Sequence, residues 1–213
     1  MSPKLNKLLV ATNNQGKLAE MIDRLADLPV ELRSLSDIET FDEVEETGAT
    51  FVENARLKAS GYAAQTGLPA IADDSGLEVA ALEGRPGVLS ARYGGANTSF
   101  EEKMTKLLSE IDKTGDTRRK ARFVCAMAIA DAAGNILYTT SGICDGKIAA
   151  EPRGNLGFGY DPLFIPDGFE LTLGELPGAV KQKISHRARA FEQIIPFLRD
   201  FIAVSLDLEC FRA

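Results

Sequence analysis

The 213-residue chain has no tryptophan, one histidine and three cysteines. The single histidine, His186, excludes metal sites built on several histidines, and any Ser-His-Asp triad would have to use it. Cys125, Cys144 and Cys210 are odd in number and widely spaced, with no Cys-x-x-Cys pair. Neither a disulfide framework nor a zinc ribbon is therefore indicated, and a reducing, cytoplasmic setting is expected. Long apolar runs are also missing. No segment approaches the ~18–20 residues of a membrane span. The N-terminal run Leu8-Leu9-Val10-Ala11 is shorter than the ~7–15-residue core of a secretory signal. Positive charge is in the minority, with 24 Lys and Arg against 31 Asp and Glu and a net charge of −7. That balance disfavours sequence-blind binding to nucleic acid. Phosphate binding stays open wherever Lys, Arg, backbone N–H groups or a metal are concentrated locally.

What is present is an ordinary globular composition arranged in alternating strand and helix signals. Lys7–Thr12 reads as a buried strand, Lys17–Leu28 as a helix and Val30–Leu35 as a second strand, a βαβ-like opening. Thr50-Phe51-Val52-Glu53 is a capping box that starts a helix running to about Gln65, stopped by Gly67 and Pro69. Ala70-Ala72 is a short strand, and Leu77–Ala81 is a possible continuation beyond Gly76. Glu83–Tyr93 reads as a loop, and Ser99–Glu102 is a second capping box, opening a helix to about Ile111. Arg122–Ala130 and Ile136–Cys144 form a hairpin around Ala133-Gly134-Asn135. Ser185 caps a last helix that Pro196 should end or kink. Together these signals predict an α/β fold with a mixed sheet flanked by helices.

Six segments carry candidate chemistry, each with a plainer alternative. Thr12-Asn13-Asn14-Gln15-Gly16-Lys17 leads a strand into a helix N-terminus, where unpaired N–H groups and Lys17 suit phosphate. It is no Walker loop, because Ala11 and Leu18 occupy positions that motif reserves for Gly and Ser/Thr. Asp73-Asp74-Ser75-Gly76 places two carboxylates at the end of a buried strand, which is costly unless they are paired or metal-bound. Hard oxygens of this kind suit Mg2+, and an Asx-turn is the alternative. Glu45-Glu46-Thr47-Gly48 is an acidic loop able to add a carboxylate. Asn54 and Lys58 share a helix face. Gly157-Phe158-Gly159-Tyr160-Asp161-Pro162 combines close backbone approach with two flat rings, which suit either a base or the core. Lys181 with Ser185-His186-Arg187 sets cations at a helix start, against the dipole unless an anion or carbonyl lies near.

Taken together and in order, these segments, with Ser90-Ala91-Arg92-Tyr93, resemble the inosine triphosphate pyrophosphatases of the Maf/Ham superfamily. The resemblance covers nearly the whole chain. It implies an elongated α/β fold with a long central mixed sheet, two lobes within residues 1–199, a cleft between them and a homodimer. It also implies Mg2+-dependent cleavage of ITP, dITP and XTP to the monophosphate and pyrophosphate. Carried over by motif, Thr12, Asn13, Asn14, Gln15, Gly16 and Lys17 bind the triphosphate, and Lys58 and Ser75 contact phosphates. Glu45 and Asp74 are metal ligands, with Asp74 also the general base. Phe158, Gly159, Tyr160 and Asp161 stack on and border the base, while Lys181, His186 and Arg187 read the purine edge. No nucleic-acid or membrane partner is implied.

Two departures from the family pattern stand out. Gly178-Ala179-Val180 precedes Lys181 where acidic residues are usual. Residues 200–213 form a C-terminal extension in which Cys210 and Phe211 have no assigned role. The nearest enzyme alternative is a Maf-like pyrophosphatase acting on pyrimidine or modified nucleotides. A non-catalytic nucleotide-binding regulator is the alternative from another class.

Overall fold

The computed structural model describes residues 6–95 and 97–210, with side chains as far as residue 203. Phe211 lies outside the described residues. Among the described residues six strands and five α-helices follow one another as β1 (Lys7–Val10), α1 (Gln15–Leu25), β2 (Glu31–Ser34), α2 (Phe51–Thr66), β3 (Ala70–Val79), α3 (Phe100–Thr114), β4 (Lys120–Ala130), β5 (Ile136–Ile148), β6 (Phe164–Pro166), α4 (Gly178–Ile184) and α5 (His186–Cys210). The sheet order is β2-β1-β3-β4-β5-β6. β1 runs parallel to both β2 and β3, whereas β5 and β6 are antiparallel, so the sheet is mixed as expected.

Local chemistry explains most element boundaries. Asn14 accepts a hydrogen bond from the Lys17 amide and caps α1. Thr50 and Glu53 form the reciprocal capping box of α2, and Ser99 and Glu102 that of α3. Both helices end on a left-handed glycine, Gly67 and Gly115, which has no Cβ to resist that conformation.

Three expectations change. The Asp73-Asp74-Ser75-Gly76 segment is no turn: it is the middle of β3, a ten-residue strand buried at every position except Ser75 and Glu78. Past Gly76 the strand is held from the side, because the Ser90 hydroxyl accepts from the Leu77 amide and donates to the Gly87 carbonyl. That contact comes from a 3-10 turn, Gly87–Arg92, inside the segment expected to be loop. Of the end or kink expected at Pro196, the end does not occur, and α5 runs on to Cys210. Proline removes one backbone bond, but Ile194, Leu198 and Ile202 recur every fourth residue and all are buried, so packing of one face carries the helix through. The extension from residue 200 is therefore continuous with α5 as far as Cys210. β6 and α4 were not anticipated, and α4 forms with Gly178-Ala179-Val180 as its first turn.

The chain sorts into two compact units. The first comprises residues up to Asp74, Ala126–Ser141 and the chain from Ala190 onward. Its buried apolar residues include Leu8, Val10, Met21, Ile71, Met127 and Phe191. The second comprises Ser75–Cys125 and Gly142–Arg189, with a core of Leu77, Val79, Leu107, Ile111, Phe123, Leu163 and Phe164.

At the margin of the second core the Tyr93 hydroxyl donates to Glu110 on α3, whose other partners are Arg85 and Lys106. The Tyr93 hydrogen bond holds the Glu110 carboxyl below its ordinary value of 4.5, against the opposing effect of burial. Burial first, then the Glu110 contact, pushes Tyr93 up to about 12 from 10.0. A depressed carboxyl stabilises the fold above its unfolded value and loses that stabilisation on acidification. A raised phenol stabilises the fold below its unfolded value and loses that stabilisation as pH rises. The advantage of the native protein over Tyr93→Phe in urea unfolding should therefore be about 1 kcal/mol near neutrality. It should shrink below pH 4.5 and again between pH 10 and about 12. A difference independent of pH would show that the hydrogen bond contributes nothing beyond packing.

Candidate active site

The first unit holds a cluster of charge around β3. Successive strand residues project to opposite faces, so the two adjacent carboxylates, Asp73 and Asp74, are met by different helices. Lys17, in the first turn of α1, lies 3.1 Å from Asp73. Lys58, from the middle of α2, lies 3.6 Å from Asp74 and 2.6 Å from Glu46 of the acidic loop. Asn54, one turn earlier on the same face of α2, donates to Asp74 at 3.0 Å. Burial pushes the Asp74 carboxyl above its ordinary value and Glu46 adds to this, while Lys58, Lys17 and Asn54 pull it back in part. Burial works against the Lys58 ammonium, but Asp74, Asp73 and Glu46 outweigh it and hold Lys58 in its charged form.

The segment from Thr12 to Lys17 lies where β1 feeds α1. Thr12 accepts from the Asn14 amide, Asn13, Asn14 and Gln15 are exposed, and no acidic residue occupies the first turn of α1. This is an accessible helix N-terminus with an ammonium beside it, an arrangement that suits phosphate oxygens. In the acidic loop Glu45 is exposed, and it is Glu46 that turns toward Lys58. Asp73, Glu46 and Asn54 are the three members of the cluster to which the family motif assigned no role. The shared helix face with Lys58 marks Asn54 in the sequence, without a role attached to it. Nothing in two adjacent glutamates tells which one faces inward.

The second unit holds a cation and aromatic cluster. Lys181, on α4, pairs with Asp161 at 2.6 Å, and both side chains are buried. Asp161 also accepts from the Phe158 amide at 2.8 Å. Gly157 has φ +73°, and a Cβ there would lie 2.0 Å from the Asp161 carboxylate, so only glycine allows the loop to close on it. Phe158 is half-buried, with the Lys181 ammonium 4.4 Å and the Arg187 guanidinium 5.7 Å from its ring centre. Arg187 also approaches the Ser75 hydroxyl at 3.3 Å. His186 is buried and stacks on Phe123 at 4.7 Å. Ser185 caps α5 by accepting from the Ala188 amide. Gly159 has φ +66°, a left-handed conformation that glycine adopts without strain. Tyr160 differs from Phe158: it is buried in the core cluster, and its hydroxyl donates to the Ser90 carbonyl. Of the two aromatic residues, Phe158 is the one that is not fully buried.

The sequence pattern of the Ham1 family matches residues 8–197. The chain belongs to the Ham1 family. It is 51% identical over 186 residues to a dITP/XTP pyrophosphatase of Geobacter sulfurreducens, covering 87% of this chain and 93% of that protein. It is 50% identical over 188 residues to a dITP/XTP pyrophosphatase of Synechocystis sp., covering 88% and 93%. Among solved structures, a HAM1 protein from Coxiella burnetii superposes with a TM-score of 0.84 at 43% identity, covering 91% of this chain and 98% of that one. The Staphylococcus aureus Ham1 protein gives 0.78 at 39% identity with the same coverage.

The donor chemistry of this Ham1-family chain fits a hard divalent cation. Asp73, Asp74 and Glu46 set three carboxylates against the two ammoniums of Lys17 and Lys58, three minus two, an excess of one negative charge. Among the described residues no three acidic, His or Cys side chains come together as a protein-only metal cage. A cation held by one or two carboxylates, with water and substrate completing its shell, is the pattern Mg2+ favours.

Asp161 has a structural burden whatever the ligand. Breaking a buried ion pair by removing one partner leaves an uncompensated charge and costs about 3–5 kcal/mol. Asp161→Ala should lower the free energy of urea unfolding by about 3 kcal/mol, and adding Lys181→Met should restore part of the loss. A loss under about 1 kcal/mol in the single variant would show that solvent already screens the pair.

Proposed function

We propose that the chain hydrolyses deaminated purine nucleoside triphosphates, ITP, dITP and XTP, to the monophosphate and pyrophosphate, with Mg2+ as cofactor. The observation that carries this reading is the buried Asp73-Asp74 pair with Lys17 and Lys58 at its two faces, in a Ham1-family chain about half identical to dITP/XTP pyrophosphatases. Cytoplasmic location is in keeping with the cysteine usage, and among the described residues no helix is long and apolar enough to cross a membrane. A homodimer is supported by an unusual surface of the first unit, where Tyr138 on β5 and Phe197 and Phe201 on α5 stack in succession while only half-buried.

In the proposed reaction a water oxygen attacks the α-phosphorus and gives its proton to the Asp74 carboxylate. The bond from the α-phosphorus to the bridging oxygen breaks, and pyrophosphate leaves with that oxygen. Lys17, Lys58 and the N-terminus of α1 offset the charge on the phosphate chain. Asp74, with a glutamate of the acidic loop, Glu45 or Glu46, would hold Mg2+, which when bound supplies charge neutralisation on phosphate oxygens. The elevated Asp74 carboxyl suits a proton acceptor better than an ordinary surface aspartate would.

In the second unit Phe158 offers its ring to the base, while Lys181 and Arg187 supply N–H donors and no acceptor. A 6-oxo purine satisfies such donors. The 6-amino group of adenine is itself a donor and offers them no acceptor, a mismatch that costs ~1–3 kcal/mol.

The deciding experiment incubates a panel of nucleoside triphosphates with Mg2+ and measures pyrophosphate and orthophosphate separately. ITP, dITP and XTP should release pyrophosphate fastest, with ATP, UTP and dTTP far behind. Preferential turnover of UTP or dTTP, or release of orthophosphate, would refute the assignment. Asp74→Asn should lower ITP turnover by at least roughly 100-fold with the urea midpoint retained, and near-native turnover in that variant would remove Asp74 from its role.

A further inference from the structure

Asn54 is fully buried, and both ends of its side-chain amide are engaged. Its Nδ2 donates to Asp74 Oδ2 at 3.0 Å, and its Oδ1 accepts from the Gly48 amide at 2.7 Å. A Cβ on Gly48 would lie 2.7 Å from that same Oδ1 and 2.6 Å from the Glu53 Cβ, so the acidic loop passes Asn54 as closely as a glycine permits. Just beyond, Glu53 accepts from the Ala49 and Thr50 amides. One turn along α2, Lys58 lies near the other oxygen of Asp74 and binds Glu46. A single helix face thus grips the carboxylate on β3 at both oxygens and the acidic loop at both Glu46 and Gly48.

From this geometry we propose that Asn54 is a positioning residue for the hydrolytic reaction: its amide fixes the rotation of the Asp74 carboxylate and locks the acidic loop to it. The inference rests on the assignment of Asp74 as proton acceptor. Asparagine is the residue type the position demands. Aspartate would offer two acceptors to a neighbouring carboxylate, and leucine would leave both Asp74 Oδ2 and the Gly48 amide without this partner. The geometric requirement is strict because a carboxylate turned about its Cβ–Cγ bond directs its lone pairs away from the attacking water, and misplacing a reacting group costs rate while barely altering substrate affinity.

The test compares Asn54→Ala and Asn54→Ser with the native protein, using whichever nucleoside triphosphate the native protein hydrolyses fastest. If that nucleotide is not a deaminated purine, the substrate reading fails while the Asn54 test stands. If no triphosphate is hydrolysed, both fall. Serine keeps a short donor and acceptor and serves if alanine does not fold, with the urea midpoint reporting folding in each case. The expected result is a kcat lowered roughly 10- to 100-fold, the range for a residue that orients a reacting group from behind. KM, and the Kd of a non-hydrolysable α,β-methylene triphosphate measured by calorimetry, should stay within about threefold. In the Asp74→Asn background the Asn54 substitution should have almost no further effect on the residual rate, because its target is already gone. A kcat within threefold of native, or an equal loss in both backgrounds, would overturn the proposal and leave Asn54 as a core hydrogen-bonding residue only.

Discussion

Two carboxylates sit next to each other in the middle of a buried strand, and the first unit is organised around the need to compensate them. An ionised carboxylate moved into an apolar interior without a partner costs far more than the whole margin of stability of a domain. β3 solves this by its own pleat, which sends Asp73 and Asp74 to opposite faces, where α1 and α2 each present one lysine. The order β1-α1-β2 and the parallel pairing of β1 with β3 follow the same logic, since the turn after β1 is what brings Lys17 to Asp73. Capping at Asn14 and Thr50 then matters beyond helix stability, because it sets where the lysines emerge.

The second unit repeats the principle with one buried pair in place of two. Asp161 compensates Lys181, shapes the Gly157–Tyr160 loop through the Phe158 amide, and so leaves the Lys181 and Arg187 cations against the Phe158 ring. A cation held both by a carboxylate and by a ring face has little freedom to follow a poorly matched ligand. These groups are therefore held in place before any ligand arrives, and in the proposed function that fixed geometry would be what makes a mismatched purine edge costly.

Most of the fold was legible because its signals are local. Capping boxes at Thr50 and Ser99, terminating glycines at positions 67 and 115, and the hairpin around Gly134 each depend on a few consecutive residues. What could not be read depended on distant partners. Asp73-Asp74-Ser75-Gly76 has the composition of a turn and became a strand because lysines from two helices and the Ser90 hydroxyl satisfy it from outside. Pro196 has the chemistry of a helix stop and was overridden by packing of Leu198 and Ile202. In the site, motif order was sufficient to nominate Lys17, Asp74, Lys58, Lys181 and Arg187. It gave no means of choosing Glu46 over Glu45 as the partner of Lys58, nor of separating the half-buried ring of Phe158 from the buried ring of Tyr160. Those distinctions depend on which way a side chain turns, and alternation along a loop has no fixed period.

The charge balance of the first cluster also constrains how a triphosphate would enter it. Lys58 is shared between Glu46 and Asp74, and Lys17 is paired to Asp73, so the charge either lysine offers a phosphate is already partly compensated. With an excess of one negative charge among these five side chains, a bare polyphosphate would be repelled at close range, where low dielectric strengthens every interaction. Under the proposed function, a triphosphate carrying its own divalent cation would reverse that sign, with Asp74 and the acidic loop offering oxygens to the cation and Lys17 and the N-terminus of α1 offering donors to the phosphates. On this argument the acidic excess acts as a filter. In the proposed reaction it would favour metal-bound nucleotide over free nucleotide or inorganic phosphate, while the like charge of Glu46 adds to the elevation of the Asp74 carboxyl.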